Sequence, residues 1–260
     1  MHGFIDKTLS IETALALGSN DPIQMSLYAT PSRALTHMRH EIASTVEDAV
    51  FDKHYLPFIA ERYRISRDLS NYIIVPITIM ASDLPNRNLV AFPFNRLSEF
   101  NPDAKCLAYQ TWRYAPAHKD HVNQDYTQSK GVVLDVGMRP MPNVEGSIWK
   151  VTALTAFDRS KDPHLVSDIL DRKVKTYSMG AYVTDYHCSI CGSTTPKPTE
   201  PKCQHIPASR NRLQVFSVKG EPTLAYWNVG SFVGFEISAL SPGTPGAFPS
   251  TDNTVDILVE

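Results

Sequence analysis

The amino-acid sequence predicts an α+β fold: a helical N-terminal region, a β-rich body, and a metal knuckle inserted between two strands of that body. Three observations lead there. Between residues 31 and 50 apolar side chains recur at three- and four-residue steps, the period of a helix with one buried stripe. From Tyr72 onward the pattern changes to short apolar or alternating runs separated by Pro, Asn, Asp and Gly, as strands and turns require. Three of the four cysteines fall with a histidine into Cys188-x2-Cys191-x11-Cys203-x-His205, a spacing that one tetrahedral ion can gather. The divisions expected are a helical region over 1–70, a β-rich domain over 71–240 with the knuckle at 186–212, and an extended tail over 241–260.

Taken in order, Ser10 can cap a short helix, Ile11 to Leu17, which Gly18 stops. A second helix starts near Pro31 and Ser32. Its stripe is Ala34, Leu35, Met38, Ile42, Val46, Ala49 and Val50, and it extends toward Tyr63. Strands are expected at 72–81, 89–94, 107–114, 131–136 and 148–157. Asp162 and Pro163 then cap and open a helix through Ile169 and Leu170. Strand signals return at 176–183, 213–218, 224–228 and 231–240, and the Pro- and Gly-rich run after Ser241 reads as extended chain.

Composition narrows the function. The chain has 260 residues, 42% apolar and 20% charged, enough to bury a sizeable core. Its formal net charge of -2 and lack of a basic run argue against nucleic-acid and membrane partners. The longest apolar stretch, Tyr72 to Ala81, is about half a membrane span and contains Pro76. The N-terminus lacks the apolar core of a signal peptide, so a cytosolic protein is expected, where clustered cysteines bind metal rather than form disulfides.

Two chemistries lie side by side. In the run 176–183, Tyr177, Met179, Ala181 and Val183 share one face and Ser178, Gly180 and Tyr182 the other, so Ser178 points away from the apolar side. A nucleophilic serine needs an imidazole within hydrogen-bond reach and a third group to orient that imidazole. The polar segment Ala117 to Tyr126, between two strand runs, offers His118 and His121. His118 follows Pro116 and reads as a turn residue, whereas His121 leads into Val122, Asn123 and the next strand. The knuckle Cys188, Cys191, Cys203 and His205 would saturate a zinc ion, leaving no open position for an activated water; its zinc is expected to be structural.

This combination resembles the prohead maturation proteases of large tailed bacteriophages, relatives of the herpesvirus assemblin-type serine proteases. The matching residues are His121-Val122-Asn123, Gly131-Val132-Val133-Leu134-Asp135, Phe157-Asp158-Arg159, Ser178-Met179-Gly180, the knuckle, and Phe235-Glu236-Ile237-Ser238-Ala239-Leu240-Ser241-Pro242. The resemblance implies an assemblin-like β-barrel surrounded by helices, with Ser178 as nucleophile and His121 as general base. For the third member it implies Glu236, with Asp158, Asp185, His187 and His205 as alternatives. Arg210 and Arg212 are candidates for stabilising an oxyanion or reading a substrate carboxylate.

It further implies a serine endopeptidase that cleaves scaffold, core and capsid precursors, and itself, after Glu in a small-or-aliphatic-x-Glu context. The setting would be the procapsid in the host bacterial cytoplasm, with self-association left open. Self-cleavage candidates are Ser10-Ile11-Glu12, Gly234-Phe235-Glu236 and Leu258-Val259-Glu260. The alternative is a non-enzymatic, zinc-stabilised protein-binding module of a virion or assembly complex, with Ser178 an ordinary strand serine.

Overall fold

The structure, a computed structural model, describes residues 56–141, 148–197, 203–206 and 214–245. The helices expected at 11–17 and 31–50, Arg210, Arg212 and the last residues of the tail lie outside them. Helix α1 (Leu56–Tyr63) leads into β1 (Tyr72–Ala81), β2 (Val90–Ala91), helix α2 (Phe94–Leu97) and the short pair β3 (Phe100–Asn101) and β4 (Cys106–Leu107). A 3-10 turn (Ala108–Trp112) precedes β5 (Pro116–Lys119), β6 (Gly131–Pro140) and β7 (Trp149–Asp158). Helix α3 (Pro163–Leu170), β8 (Tyr177–Val183), β9 (Tyr186–Cys188) and β10 (Thr194–Thr195) follow. The last strands are β11 (Val215–Val218), β12 (Glu221–Leu224), β13 (Trp227–Val229) and β14 (Phe232–Ala239).

The body is a six-stranded sheet in the order β1-β7-β6-β5-β14-β8, antiparallel except for the β5–β14 pair. It curls into a half-barrel, so that its end strands β1 and β8 touch without pairing. Pro76 is tolerated because β1 is a sheet edge, where a missing N–H breaks no ladder. Both faces of the sheet are covered, which is why β1, β6 and β7 read as nearly continuous apolar runs. Ile73, Val75 and Ile77 point into the main core with Val133, Val136, Ala153, Phe157 and Trp112. Tyr72 and Ile74 point outward, where Ile59, Ala60 and Tyr63 of α1 cover them together with Val132, Leu134 and Leu154. Helix α3 closes the main core with Leu165, Val166 and Ile169, and Asp162 caps it by accepting from Leu165 N at 2.9 Å.

Three expected strands form differently, and one of them, 224–228, is interrupted because β12 ends at Leu224 and β13 begins at Trp227. Residues 107–114 are rich in aromatic and β-branched types, yet Ala108–Trp112 winds into a 3-10 turn. Tertiary contacts decide it: Trp112 Nε1 donates to the Gly180 carbonyl at 3.0 Å, and Gly234 N donates to Thr111 Oγ1 at 2.7 Å. The turn thereby satisfies backbone groups at a bulge between Gly234 and Glu236, where β14 slips against β8. In 89–94 only Val90 and Ala91 are strand, because α2 begins at Phe94, just after Pro93.

Candidate active site and metal centre

Ser178 lies on β8 as its alternation requires. Tyr177, Met179, Ala181 and Val183 pack against the main core, and Ser178 and Gly180 line a cleft of about 330 Å³ with His121, Phe235 and Glu236. The other wall is the end of β1, Ile79 to Ala81, together with Asn86, Asn88 and Val90. Three strands meet in register beneath it: Ser238 of β14 stands opposite Ser178 on one side and His118 of β5 on the other.

Glu236, two residues before Ser238 and opposite Gly180, is almost fully buried. A buried carboxylate must be paired or amply hydrogen-bonded, and this one accepts three donors. His121 Nδ1 lies 2.6 Å and Asn123 Nδ2 2.7 Å from Oε1, while His118 Nδ1 lies 3.0 Å from Oε2. Burial pushes the Glu236 carboxyl up, but these donors outweigh it and hold it down at about 2. The same contact works in reverse on His121: donating to Glu236 raises its pKa above the ordinary 6.5, against a smaller lowering by burial.

The His121 loop is strapped to the end of β14. His121 N donates to Ser238 Oγ at 2.8 Å, Asp120 N to the Ala239 carbonyl at 2.9 Å, and the Asp120 carboxylate takes Ser241 N at 2.7 Å. These bonds hold Asp120 (φ 51°) and His121 (φ 57°) in consecutive left-handed conformations. Such non-glycine residues persist only where the surroundings over-determine them, and they concentrate at functional sites. With Nδ1 spent on Glu236, the second nitrogen of the half-exposed His121 ring is left for the cleft that Ser178 lines.

The structure thus gathers Ser178, His121 and Glu236 around one cleft and places Asp158, Asp185, His187 and His205 outside its lining. Asp158 accepts from Ser66 N at 2.6 Å and from Ser160, a purely structural use. Asp185 and His187 pair with each other at 2.5 Å and do not line the cleft, and His205 belongs to the knuckle. His118 is corrected from turn residue to a buried member of β5 whose ring bonds Glu236. Sequence reasoning also missed Asn123 and Ser238 as contacts of this group. The Glu-x-Ser alternation places Glu236 and Ser238 on one face, but nothing local shows that both bond the residue-121 loop. Gly234-Phe235-Glu236 lies in β14, paired there with β8 and with its glutamate buried, which hides that bond from a protease in the folded chain. Among the described cleft residues there is no lysine or arginine.

Cys188, Cys191, Cys203 and His205 converge as expected, with donor atoms all within 4.8 Å of one another, and this cluster can hold a metal ion. Cys188 Sγ and His205 Nδ1 are 3.8 Å apart. That suits zinc, because metal–ligand bonds of about 2.0–2.3 Å set tetrahedral edges of roughly 3.5–3.8 Å. The tight turn Cys188–Gly192 is closed by Gly192 N donating to the Cys188 carbonyl at 2.9 Å, and Gly192 adopts φ 70°. Cys188 also packs with Ile206, Ala225 and Trp227 in a small separate core, where Phe216 meets the His205 ring edge-on at 4.9 Å. Comparison of the chain with protein-family models, curated proteins and solved structures finds no match.

Proposed function

We propose that the protein is a serine endopeptidase of the prohead-maturation type with an assemblin-like barrel, and that its substrates are scaffold, core and capsid precursors cut inside a phage procapsid. The observation that carries the catalytic part is the 2.6 Å contact between buried Glu236 and His121 Nδ1, at the cleft that Ser178 lines. Glu236 holds the imidazole as the Nδ1–H tautomer, so Nε2 is free to take the Ser178 proton as Oγ attacks the scissile carbonyl. Collapse of the tetrahedral adduct expels the amine, which takes that proton from His121 and leaves an acyl ester on Ser178. Water, deprotonated by the same nitrogen, then releases the acid and restores the serine. Cleavage after Glu comes from the resemblance alone. One donor for such a side chain in the described cleft is Asn86, which spends its Oδ1 on Asn88 N and Val90 N and keeps its NH2 group to donate.

The knuckle, holding structural zinc, anchors the excursion after β9 and takes no part in the chemistry, since its four protein ligands complete a tetrahedral shell. The test is co-expression of wild type or Ser178→Ala with a scaffold or capsid precursor, with mass spectrometry of the termini produced. Loss of new termini in the mutant alone is the expected result, because removing the nucleophile typically costs on the order of 10⁴-fold or more. Identical termini in both would sink the reading and favour the zinc-stabilised binding module.

A further inference from the structure

His118 is buried at this site yet takes no part in the proton transfers from Ser178. It stands on β5 opposite Ser238, two residues along β14 from Glu236. Ala117, Ile237 and Ala239 face the main core, so His118 and Glu236 share the opposite face of the sheet. His118 Nδ1 lies 3.0 Å from Glu236 Oε2, with both side chains only 1% exposed. Its other nitrogen, Nε2, is also buried and has no hydrogen-bond partner.

These contacts fix the tautomer. Glu236, held down at about 2, is a carboxylate that only accepts, so His118 Nδ1 carries the proton. A second proton on Nε2 would be a buried N–H without an acceptor, which protein interiors avoid. Of the two imidazoles on this carboxylate, the half-exposed His121 is the one that can gain and lose a proton at the cleft. The last torsion of a glutamate is broad, so the plane of its carboxylate is set by its partners. Gly180 leaves the space that the Glu236 chain fills, since a Cβ there would come within 2.7 Å of Glu236 Cγ. Beyond that point Oε1 meets His121 and Asn123, both on one loop, whereas Oε2 meets His118 on an inner strand of the sheet.

We propose that His118 is a positioning residue: its Nδ1–H anchors Glu236 Oε2 to the sheet, which turns Oε1 to His121 and leaves His121 as the single proton carrier. Without that anchor the carboxylate turns with the loop, and the imidazole loses the fixed direction that proton transfer needs. For its effect on activity the inference rests on the peptidase reading; its effect on the contact between Glu236 and His121 does not. The titratable groups that act on the His121 ring are Glu236 of β14 and Asp120 of its own loop, with Tyr186 of β9 elsewhere in the cleft wall. His118 reaches the ring through Glu236.

The experiment compares the full chain as wild type, His118→Phe and His118→Asn. His118→Phe keeps a ring of similar size and removes the donor; His118→Asn puts an amide N–H at the same branch of the side chain as Nδ1. On a purified scaffold or capsid precursor, His118→Phe should lose about 10- to 100-fold in kcat with KM within about twofold, and His118→Asn should recover most of the loss. NMR titration of the His121 ring, assigned by its absence in His121→Ala, should give a midpoint above 6.5 in wild type and His118→Asn, and a lower one, toward 6.5, in His118→Phe. A folded His118→Phe with the wild-type kcat and His121 midpoint would overturn the inference and leave the peptidase standing. So would equal losses in both variants with an unmoved midpoint. If wild type cuts nothing, the peptidase reading falls, and the His121 midpoint in His118→Phe alone decides whether His118 holds Glu236. Where His118→Phe does not fold, imidazole nitrogen spectra of wild type decide. A bare Nδ1 on His118 overturns the inference, and a protonated Nδ1 with a bare Nε2 throughout the His121 titration supports it.

Discussion

Glu236 carries more of this site than any other residue, and its environment sets the pH behaviour. In the proposed mechanism His121 must be neutral to accept a proton, so activity is expected to rise with pH through a midpoint above 6.5, where the Glu236 hydrogen bond places His121. In Glu236→Gln the midpoint should fall back toward the ordinary histidine range, and kcat should drop by roughly 10²–10⁴-fold. A pH profile of kcat/KM for both proteins checks this; equal midpoints would remove Glu236 from the orienting role. The two groups act on stability in opposite directions. The lowered Glu236 contributes stability that is present above its ordinary 4.5 and lost as pH falls toward about 2. The raised His121 contributes stability that is present below 6.5 and lost as pH rises through its folded value. The protein should therefore lose stability between about pH 4.5 and 2, as titration monitored by circular dichroism would show.

At the scale of elements, the 3-10 turn, β14 and β8 form one unit. Gly234 lets Trp112 lie against β14, and a Cβ there would come within 2.2 Å of the indole. Gly234 is paired with Ala181 and its N–H is held by Thr111 Oγ1, so its backbone cannot yield easily and Gly234→Ala should displace Trp112 and break its bond to the Gly180 carbonyl. Overpacking of this kind costs typically 1–3 kcal/mol, measurable by urea denaturation. Activity should fall further than stability, because Gly180 sits two residues from Ser178 and opposite Glu236. Wild-type kinetics in a destabilised Gly234→Ala would show that the bulge does not position the cleft.

For the whole molecule, the knuckle and the half-barrel have separate cores joined through β9 and β13. Metal analysis is expected to find about one zinc per chain, lost in Cys203→Ser. Chelation should then expose the region after β9 to limited proteolysis while the main sheet keeps its circular dichroism, because the ion braces only the small core. Global unfolding on chelation would instead show that the two cores fold as one.

Much was legible in the chain because it depends on local pattern. The alternation around Ser178, the apolar run of β1, the Asp162 cap and the Cys3His spacing each reflect chemistry within a few residues, and each appears in the structure where the pattern puts it. Residues 108–112 were not legible as a 3-10 turn, since their partners are Gly180 and Gly234, far along the chain. His118 was misread for the same reason: the carboxylate that fixes its role stands 118 residues later. Sequence alone determined which side chains share a face of β8 and which four residues cluster at the knuckle. Only tertiary structure decided that β5, β14 and β8 lie side by side in register, because strand order depends on long-range pairing that no local pattern encodes, and that order brings Ser178, His121 and Glu236 to one cleft.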